Sequence, residues 1–210
     1  MRLYFSPLAC SMATRISLYE AGADATFVEV DSPTKRTLDG EDFMTKNPLG
    51  LVPTLESDDG RTLTENAVIL RWVADRFPKA KLAPTDPAER IVLDTWLSFI
   101  STELHKAIFS VALDKTAPEG AKTYALGKVD LRFRHLERRL DGREFLVGDR
   151  FSVADAYLVT VLTWTAATPI DWSKWPVLAA YVKRMRANPS VAKAFAEERT
   201  LYAAEMARAG

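Results

Sequence analysis

Apolar residues in the first third of the chain alternate between strand-like and helix-like spacing. Short apolar runs at 2–6 and 26–30 predict two β-strands. Between them, over 11–21, apolar residues recur every three or four positions, which is typical of a helix. The strand–helix–strand order predicts that the two strands pair in parallel.

A second group of signals follows an ill-defined segment near 35–48. The stretch "VPTLESDDGRTLT" predicts a hairpin with Asp59-Gly60 at its turn. Helical spacing then resumes, with a start between 64 and 66 and an end before Pro78. The first third therefore reads β-α-β followed by β-β-α.

Strand signals vanish beyond "PKAKLAPTDPAER", which carries three prolines among polar residues and predicts a linker. Amphipathic patterns predict helices over 89–113 and 120–140. Another begins after Ser152, where Asp155 completes a capping-box spacing, and two more are split at Asn188-Pro189. The predicted organisation is an α/β domain over 1–77, a linker over 78–87 and an all-α domain over 88–210.

Composition narrows the function classes. Lysine plus arginine and aspartate plus glutamate both number 28, and no basic block stands out, which argues against nucleic-acid binding. The longest uncharged run, 156–170, is shorter than the ~20 residues of a membrane helix, so no membrane association is expected. A single cysteine and the lack of a signal-peptide pattern predict a reducing, cytoplasmic location. The two histidines show no ligand-like spacing, so no metal is expected.

The one cysteine, Cys10, lies where the first strand's loop enters the first helix. Unpaired amides and the helix dipole at such a position favour a thiolate. The alternative is that Cys10 is a small buried hydrophobic residue, as most unpaired cysteines are.

Two further motifs have both structural and functional interpretations. Pro53 stands where a strand begins; it is either an ordinary trans proline or a cis proline that exposes the Val52 backbone to an extended peptide ligand. Glu65 and Asn66 stand at a helix start. They are either a cap with a dipole-favouring acid, or a clamp in which helix amides take a carboxylate and Glu65 takes an ammonium group.

The helix over 89–113 carries Glu103, His105 and Lys106. A histidine near a cysteine can take its proton or stabilise its thiolate. His105 is the better candidate of the two histidines, because charged neighbours place His135 on a solvated face. The alternative for His105 is a core or surface histidine with a backbone partner.

These pieces together resemble the cytosolic glutathione transferases, most closely the bacterial beta class. The resemblance rests on "YFSPLACS", "NPLGLVPTL", "LTEN", "LHK" and "FLVGDRFSVADAYL", in that order over essentially the whole chain. It implies a thioredoxin-like N-terminal domain, a helical C-terminal domain and a homodimer. Ser152 and Asp155 match the family's folding motif rather than its chemistry.

The resemblance also implies roles for individual residues. Glutathione is the co-substrate, and hydrophobic electrophiles are the second substrates. Cys10 contacts, or forms a mixed disulfide with, the glutathione sulfur, and His105 and Lys106 lie near that sulfur. Glu103 reaches the partner's glutathione across the dimer. The rest of the glutathione site is Lys35, Val52, cis-Pro53, Glu65 and Asn66, and the hydrophobic-substrate site is formed by Leu8, Phe109, Leu113 and Trp164.

Two functions remain open from the sequence. One is an enzyme that conjugates glutathione and exchanges disulfides at Cys10. The other is a module on the same fold that retains glutathione or apolar ligands without efficient turnover, because fold alone does not fix function. Serine is common in the family where Asn66 stands here; since asparagine also donates and accepts hydrogen bonds, we expect binding to survive.

Overall fold

A computed structural model describes residues 1–209, with only the backbone of Ala209. The chain forms two compact units. The first comprises residues 1–83 together with the C-terminal segment from Pro189 on, and the second comprises 84–188.

The first unit contains the elements β1 (Arg2–Phe5), α1 (Ser11–Glu20), β2 (Thr26–Asp31), β3 (Arg36–Thr37), β4 (Thr54–Glu56), β5 (Thr62–Leu63), α2 (Asn66–Arg76) and, from the chain's end, α9 (Pro189–Ala209). Its five strands form one sheet in the order β3-β2-β1-β4-β5. β1 and β2 pair in parallel, and the other neighbours are antiparallel, which confirms the predicted β-α-β arrangement.

The central strand β1 is apolar at successive positions because both faces of the sheet are covered there. Leu3, Tyr4 and Phe5 are all buried. The Tyr4 ring packs 5.4 Å from that of Phe43, and its hydroxyl donates to Glu56 at 2.9 Å. Phe43 belongs to a single 3₁₀ turn, Phe43–Thr45. This turn and β3 form the regular structure of the segment near 35–48, for which the sequence pattern predicts no element.

The C-terminal helix α9 belongs to the first unit, whereas the predicted division places all residues of 88–210 in one helical domain. α9 packs against α1 in the first unit. Arg15 of α1 is buried between the rings of Phe5 and Phe27 and forms an ion pair of 3.0 Å with Glu198 of α9. A buried guanidinium requires a carboxylate partner, and helical periodicity does not reveal which distant helix supplies it.

The second unit is helical, as predicted. The pattern over 120–140 gives two helices rather than one, because the chain breaks at Gly127, a residue that weakens helix interiors. The helices are α3 (Pro87–Phe99), a π-helical segment (Ile100–Phe109), α4 (Ser110–Ala112), α5 (Glu119–Leu126), α6 (Val129–Leu140), α7 (Val153–Thr163) and α8 (Pro176–Arg186).

Helix α7 forms the centre of this unit and is buried from Val153 to Leu162. Its start has the predicted capping-box arrangement, in which the Asp155 carboxylate accepts from the Ser152 backbone N–H at 3.0 Å and from its hydroxyl at 2.7 Å. These contacts satisfy polar groups at the first turn of α7. Over residues 1–209, none of the helices combines the length and apolar character needed to span a bilayer.

Candidate active site

Cys10 lies at the N-cap of α1, where the sequence places it. The residue is 8% exposed, and its thiol donates to the backbone carbonyl of Val52 at 3.3 Å. The thiol therefore lies beside the loop that precedes β4. The helix start favours the thiolate, whereas a hydrogen bond to a carbonyl favours the protonated thiol.

The Val52 loop has the backbone conformation that the resemblance implies. The Val52–Pro53 peptide bond is cis, and β4 begins at the next residue, Thr54. Asn47 secures the loop from inside, donating from Nδ2 to the Leu51 carbonyl at 2.8 Å and to the Thr54 hydroxyl at 3.2 Å. The chain thus fixes the position of the Val52 carbonyl beside Cys10.

Asn66 is brought to Cys10, but its side chain does not face a ligand. Its Nδ2 donates to the Cys10 carbonyl at 3.0 Å, its Oδ1 accepts from the Thr14 hydroxyl at 2.9 Å, and the residue is 7% exposed. The Asn66 side-chain amide therefore joins α1 to α2 in this structure, and its place at the γ-glutamyl end stays a prediction. As the first residue of α2, Asn66 still offers a helix-start amide.

Glu65 has an exposed side chain and an unusual backbone. Its φ is +66°, and its carboxylate does not cap α2, so the simple capping interpretation is not what the structure shows. A non-glycine residue in this region costs on the order of 1–3 kcal/mol and persists where the surroundings or a function require it.

Lys35 and Leu8, two other predicted site residues, also have positive φ, +57° in both cases. The Lys35 side chain crosses Gly50, two residues before Val52: a Cβ on Gly50 would lie 3.0 Å from Lys35 Cδ and 2.8 Å from Met44 Sδ. The structure therefore brings Lys35 to the Val52 loop. No sequence signal pointed to these backbone conformations, because leucine, lysine and glutamate are not residues that favour them.

In the second unit, His105 lies in the π-helical segment with one ring nitrogen bonded. Its Nδ1 is 2.8 Å from the Tyr157 hydroxyl, and its ring meets that of Trp164 edge-on at 5.0 Å. Burial, and secondarily the nearby Lys106 ammonium, lower the pKa of His105 to about 4. His105 is therefore neutral at pH 7 in this structure. Sequence reasoning missed Tyr157 because the contact spans 52 residues.

Glu103 and Lys106 have different environments in the same segment. The Glu103 carboxylate accepts two hydrogen bonds from Arg132 of α6, at 3.0 and 2.6 Å, so it already has a partner within its own chain. The Lys106 side chain is exposed. His135 is exposed as predicted and stacks on Trp96 at 5.1 Å.

The residues predicted for the hydrophobic-substrate site differ in accessibility. Leu8, Leu113 and Trp164 are half-buried, whereas Phe109 is fully buried, with its ring 5.9 Å from that of Trp164. The prediction that Phe109 lines the pocket does not fit this structure, because its side chain has no surface to offer a substrate. Instead, its ring packs against the ring of Trp164.

The low pKa of His105 predicts a pH dependence of stability. Protonation favours the unfolded state, because an ordinary histidine titrates near 6.5 there. The contribution of neutral His105 to the free energy of unfolding is therefore complete above pH 6.5 and is lost as the pH falls towards 4. Between pH 7 and pH 5 we expect a loss of about 2 kcal/mol in the free energy of unfolding from this residue. His105→Asn should lack that loss in urea unfolding at the two pH values, while His135→Gln should retain it. Parallel pH dependence in wild type and His105→Asn would contradict the prediction.

A metal has no evident site in the described chain: residues 1–209 contain no group of three or more histidine, cysteine, aspartate or glutamate side chains placed to hold one.

The mixed sheet, with a cysteine before α1 and a cis-proline before β4, defines a thioredoxin-like domain followed in sequence by a helical domain. Residues 9–76 match the family model "Glutathione S-transferase, N-terminal domain", and 99–189 match "Glutathione S-transferase, C-terminal domain". The chain therefore belongs to the glutathione S-transferase family and is an enzyme of that type.

Bacterial glutathione S-transferases are among its relatives. Glutathione S-transferase GstA of Escherichia coli O157:H7 is 37% identical over 199 residues, covering 94% of this chain and 98% of the relative. The solved sphingomonad glutathione S-transferase complexed with glutathione is 42% identical, with a TM-score of 0.90 over 94% of this chain and 98% of that one. The beta-class enzyme of Sphingomonas chungbukensis is 43% identical, with a TM-score of 0.90 over 94% and 98% of the two chains. The resemblance to the beta class is thereby confirmed.

Proposed function

We propose that this transferase conjugates glutathione to hydrophobic electrophiles and exchanges glutathione disulfides at Cys10. One observation carries the proposal: the Cys10 thiol contacts the Val52 carbonyl at 3.3 Å, at the start of α1 and beside the cis-Pro53 loop. A peptide that pairs with the Val52 backbone places its own sulfur close to that thiol. The solved relative that contains glutathione supports glutathione as that peptide.

The remaining glutathione contacts follow from the charged groups around this loop. The helix-start amides of α2 suit the γ-glutamyl carboxylate, and the exposed Glu65 suits the adjacent ammonium group. Lys35, which crosses Gly50, suits the glycine carboxylate. The Asn66 side chain serves this site indirectly, by holding the Cys10 carbonyl.

The second unit is assigned its roles by the family resemblance. His105 and Lys106 serve the glutathione sulfur, and Leu8, Leu113 and Trp164 serve the hydrophobic substrate. The protein acts as a cytoplasmic homodimer. The two hydrogen bonds from Arg132 to Glu103 argue against a direct contact of Glu103 with the partner's glutathione. They favour a structural role for the Glu103 carboxylate.

The rival function, a glutathione or apolar-ligand carrier without turnover, also has an observation in its favour. The Cys10 thiol is nearly buried and donates to a carbonyl, an arrangement that suits an unreactive cysteine.

A steady-state assay separates the two functions. Wild-type protein should conjugate glutathione to a chlorodinitrobenzene-type electrophile, and should reduce a glutathione mixed disulfide at the expense of a second glutathione. Binding of glutathione by calorimetry without turnover in either assay would establish the carrier and overturn the enzyme proposal.

Glu65→Gln should weaken glutathione binding without unfolding the protein. A charged hydrogen bond to an ammonium group is worth roughly 1.5–3 kcal/mol, which corresponds to about a tenfold to hundredfold rise in Kd. The carboxylate makes no cap, so the melting temperature should stay level. Glu41→Gln, at an exposed carboxylate of the same unit, is the matched control. A level Kd with a lower melting temperature would refute the clamp.

A further inference from the structure

The imidazole of His105 is held in one orientation by its neighbours in the second unit. Its Nδ1 lies 2.8 Å from the hydroxyl of Tyr157, whose ring is perpendicular to it at 6.1 Å. Tyr157 is 1% exposed and belongs to the buried helix α7. The Trp164 ring meets another side of the imidazole at 5.0 Å.

The backbone that carries His105 is also unusual. Residues Ile100–Phe109 form a π-helical segment, and the Ser110 N–H bonds to the His105 carbonyl five residues earlier. Segments of this kind are rare and are often found at functional sites. Here the wider turn carries the ring that meets Tyr157.

The protonation state of this ring determines what Tyr157 does. With a pKa lowered to about 4, His105 is neutral at physiological pH and has a proton on only one of its two nitrogens. The bond made by one nitrogen decides which nitrogen carries that proton. A phenol O–H is more acidic than a neutral imidazole N–H, and an unprotonated imidazole nitrogen is a good acceptor, so the favoured bond has the phenol as donor.

We infer that Tyr157 is a positioning residue for His105: its hydroxyl donates to Nδ1 and thereby fixes the tautomer with the proton on Nε2. This inference rests on the proposed function for its consequence. An Nε2–H group is a hydrogen-bond donor, and a donor stabilises the glutathione thiolate. The other tautomer would present a lone pair and would not. A neutral histidine can thus assist the sulfur without carrying a charge.

Nitrogen NMR of protein labelled with ¹⁵N in its histidine rings tests the tautomer directly. The chain has only two histidines, so the spectrum of the His135→Gln variant contains only the ring signals of His105. At pH 7 we expect an unprotonated-type Nδ1 and a protonated-type Nε2. In Tyr157→Phe the two tautomers should mix, because Nδ1 has lost this partner. A wild-type spectrum with the proton on Nδ1, or an unchanged tautomer in Tyr157→Phe, overturns the inference.

Activity supplies the second measurement. Tyr157→Phe should lower kcat/KM for conjugation by about threefold to tenfold, the effect of one hydrogen bond. Tyr19→Phe, which removes a hydroxyl bonded to Glu197 in the first unit, is the matched control and should leave kcat/KM unchanged. An equal loss in both variants would mean that Tyr157 is only structural.

The two hypotheses can fail separately. The wild-type spectrum decides the tautomer even if Tyr157→Phe does not fold. A protein without turnover but with the expected tautomer would refute the proposed function and leave the assignment of Tyr157 and His105 intact.

Discussion

Asp155→Ala is expected to lower the free energy of unfolding by about 3–5 kcal/mol, a large part of the 5–15 kcal/mol typical of a folded protein. Asp155 is fully buried, and its carboxylate accepts from four donors: the Leu146 N–H at 2.8 Å, the Ser152 N–H and hydroxyl, and the Tyr181 hydroxyl at 2.8 Å. Alanine leaves all four donors without this acceptor in the interior.

Urea unfolding of three variants separates this network from ordinary capping. Ser152→Ala removes only the cap residue's hydroxyl and should cost about 1 kcal/mol. Asp141→Ala, at an exposed aspartate of the same unit, should cost little. Asp155→Ala should exceed both, while kcat of the folded fraction stays near that of wild type. A cost for Asp155→Ala no larger than that for Ser152→Ala would show that the carboxylate is a cap and nothing more.

The Asp155 network shows how far sequence patterns reach. The spacing of Ser152 and Asp155 is local, so a capping box could be read from it. The bonds to Leu146 and Tyr181 span 9 and 26 residues and depend on how α7 and α8 pack. The helical periodicity of α9 is likewise a local feature that the sequence shows. The packing of α9 against α1, in contrast, involves the ion pair of Arg15 with Glu198, which are 183 residues apart.

The site divides in the same way. The position of Cys10 at a helix start and that of Pro53 before a strand are local features, and the structure shows both. The Asn66 side chain binds the Cys10 carbonyl, a contact across 56 residues that the local pattern at the start of α2 does not reveal. The neutrality of His105 follows from burial, which no local pattern reveals.

Cys10→Ser is expected to abolish disulfide exchange and to spare part of the conjugation. In exchange, the Cys10 thiolate attacks the glutathione sulfur of a mixed disulfide, a Cys10–glutathione disulfide forms, and the other thiol leaves as its thiolate. A second glutathione thiolate then attacks the glutathione sulfur, which releases glutathione disulfide and restores the Cys10 thiolate. The chain has no second cysteine to resolve the intermediate, so serine stops the cycle at its first step. Conjugation uses the sulfur of glutathione itself, and the unpaired amides at the start of α1 are still available to stabilise its thiolate.

The reactivity of Cys10 decides whether the enzyme carries out the exchange reaction in addition to conjugation. In the free protein the thiol donates to the Val52 carbonyl, and the proposed pairing of glutathione with Val52 directs a peptide N–H to that same carbonyl. Binding should therefore release the thiol at the place where the α1 dipole favours its thiolate. We expect iodoacetamide to label one thiol per chain. The pH at which the labelling rate reaches half its maximum should lie below ~8.5, the pKa of an ordinary cysteine. Glutathione disulfide should block that labelling by forming one mixed disulfide per chain, visible as an added glutathione in the intact mass, and Cys10→Ser should show neither reaction. A Cys10 that titrates as an ordinary thiol, or that resists labelling in the folded protein, would leave conjugation without the exchange reaction.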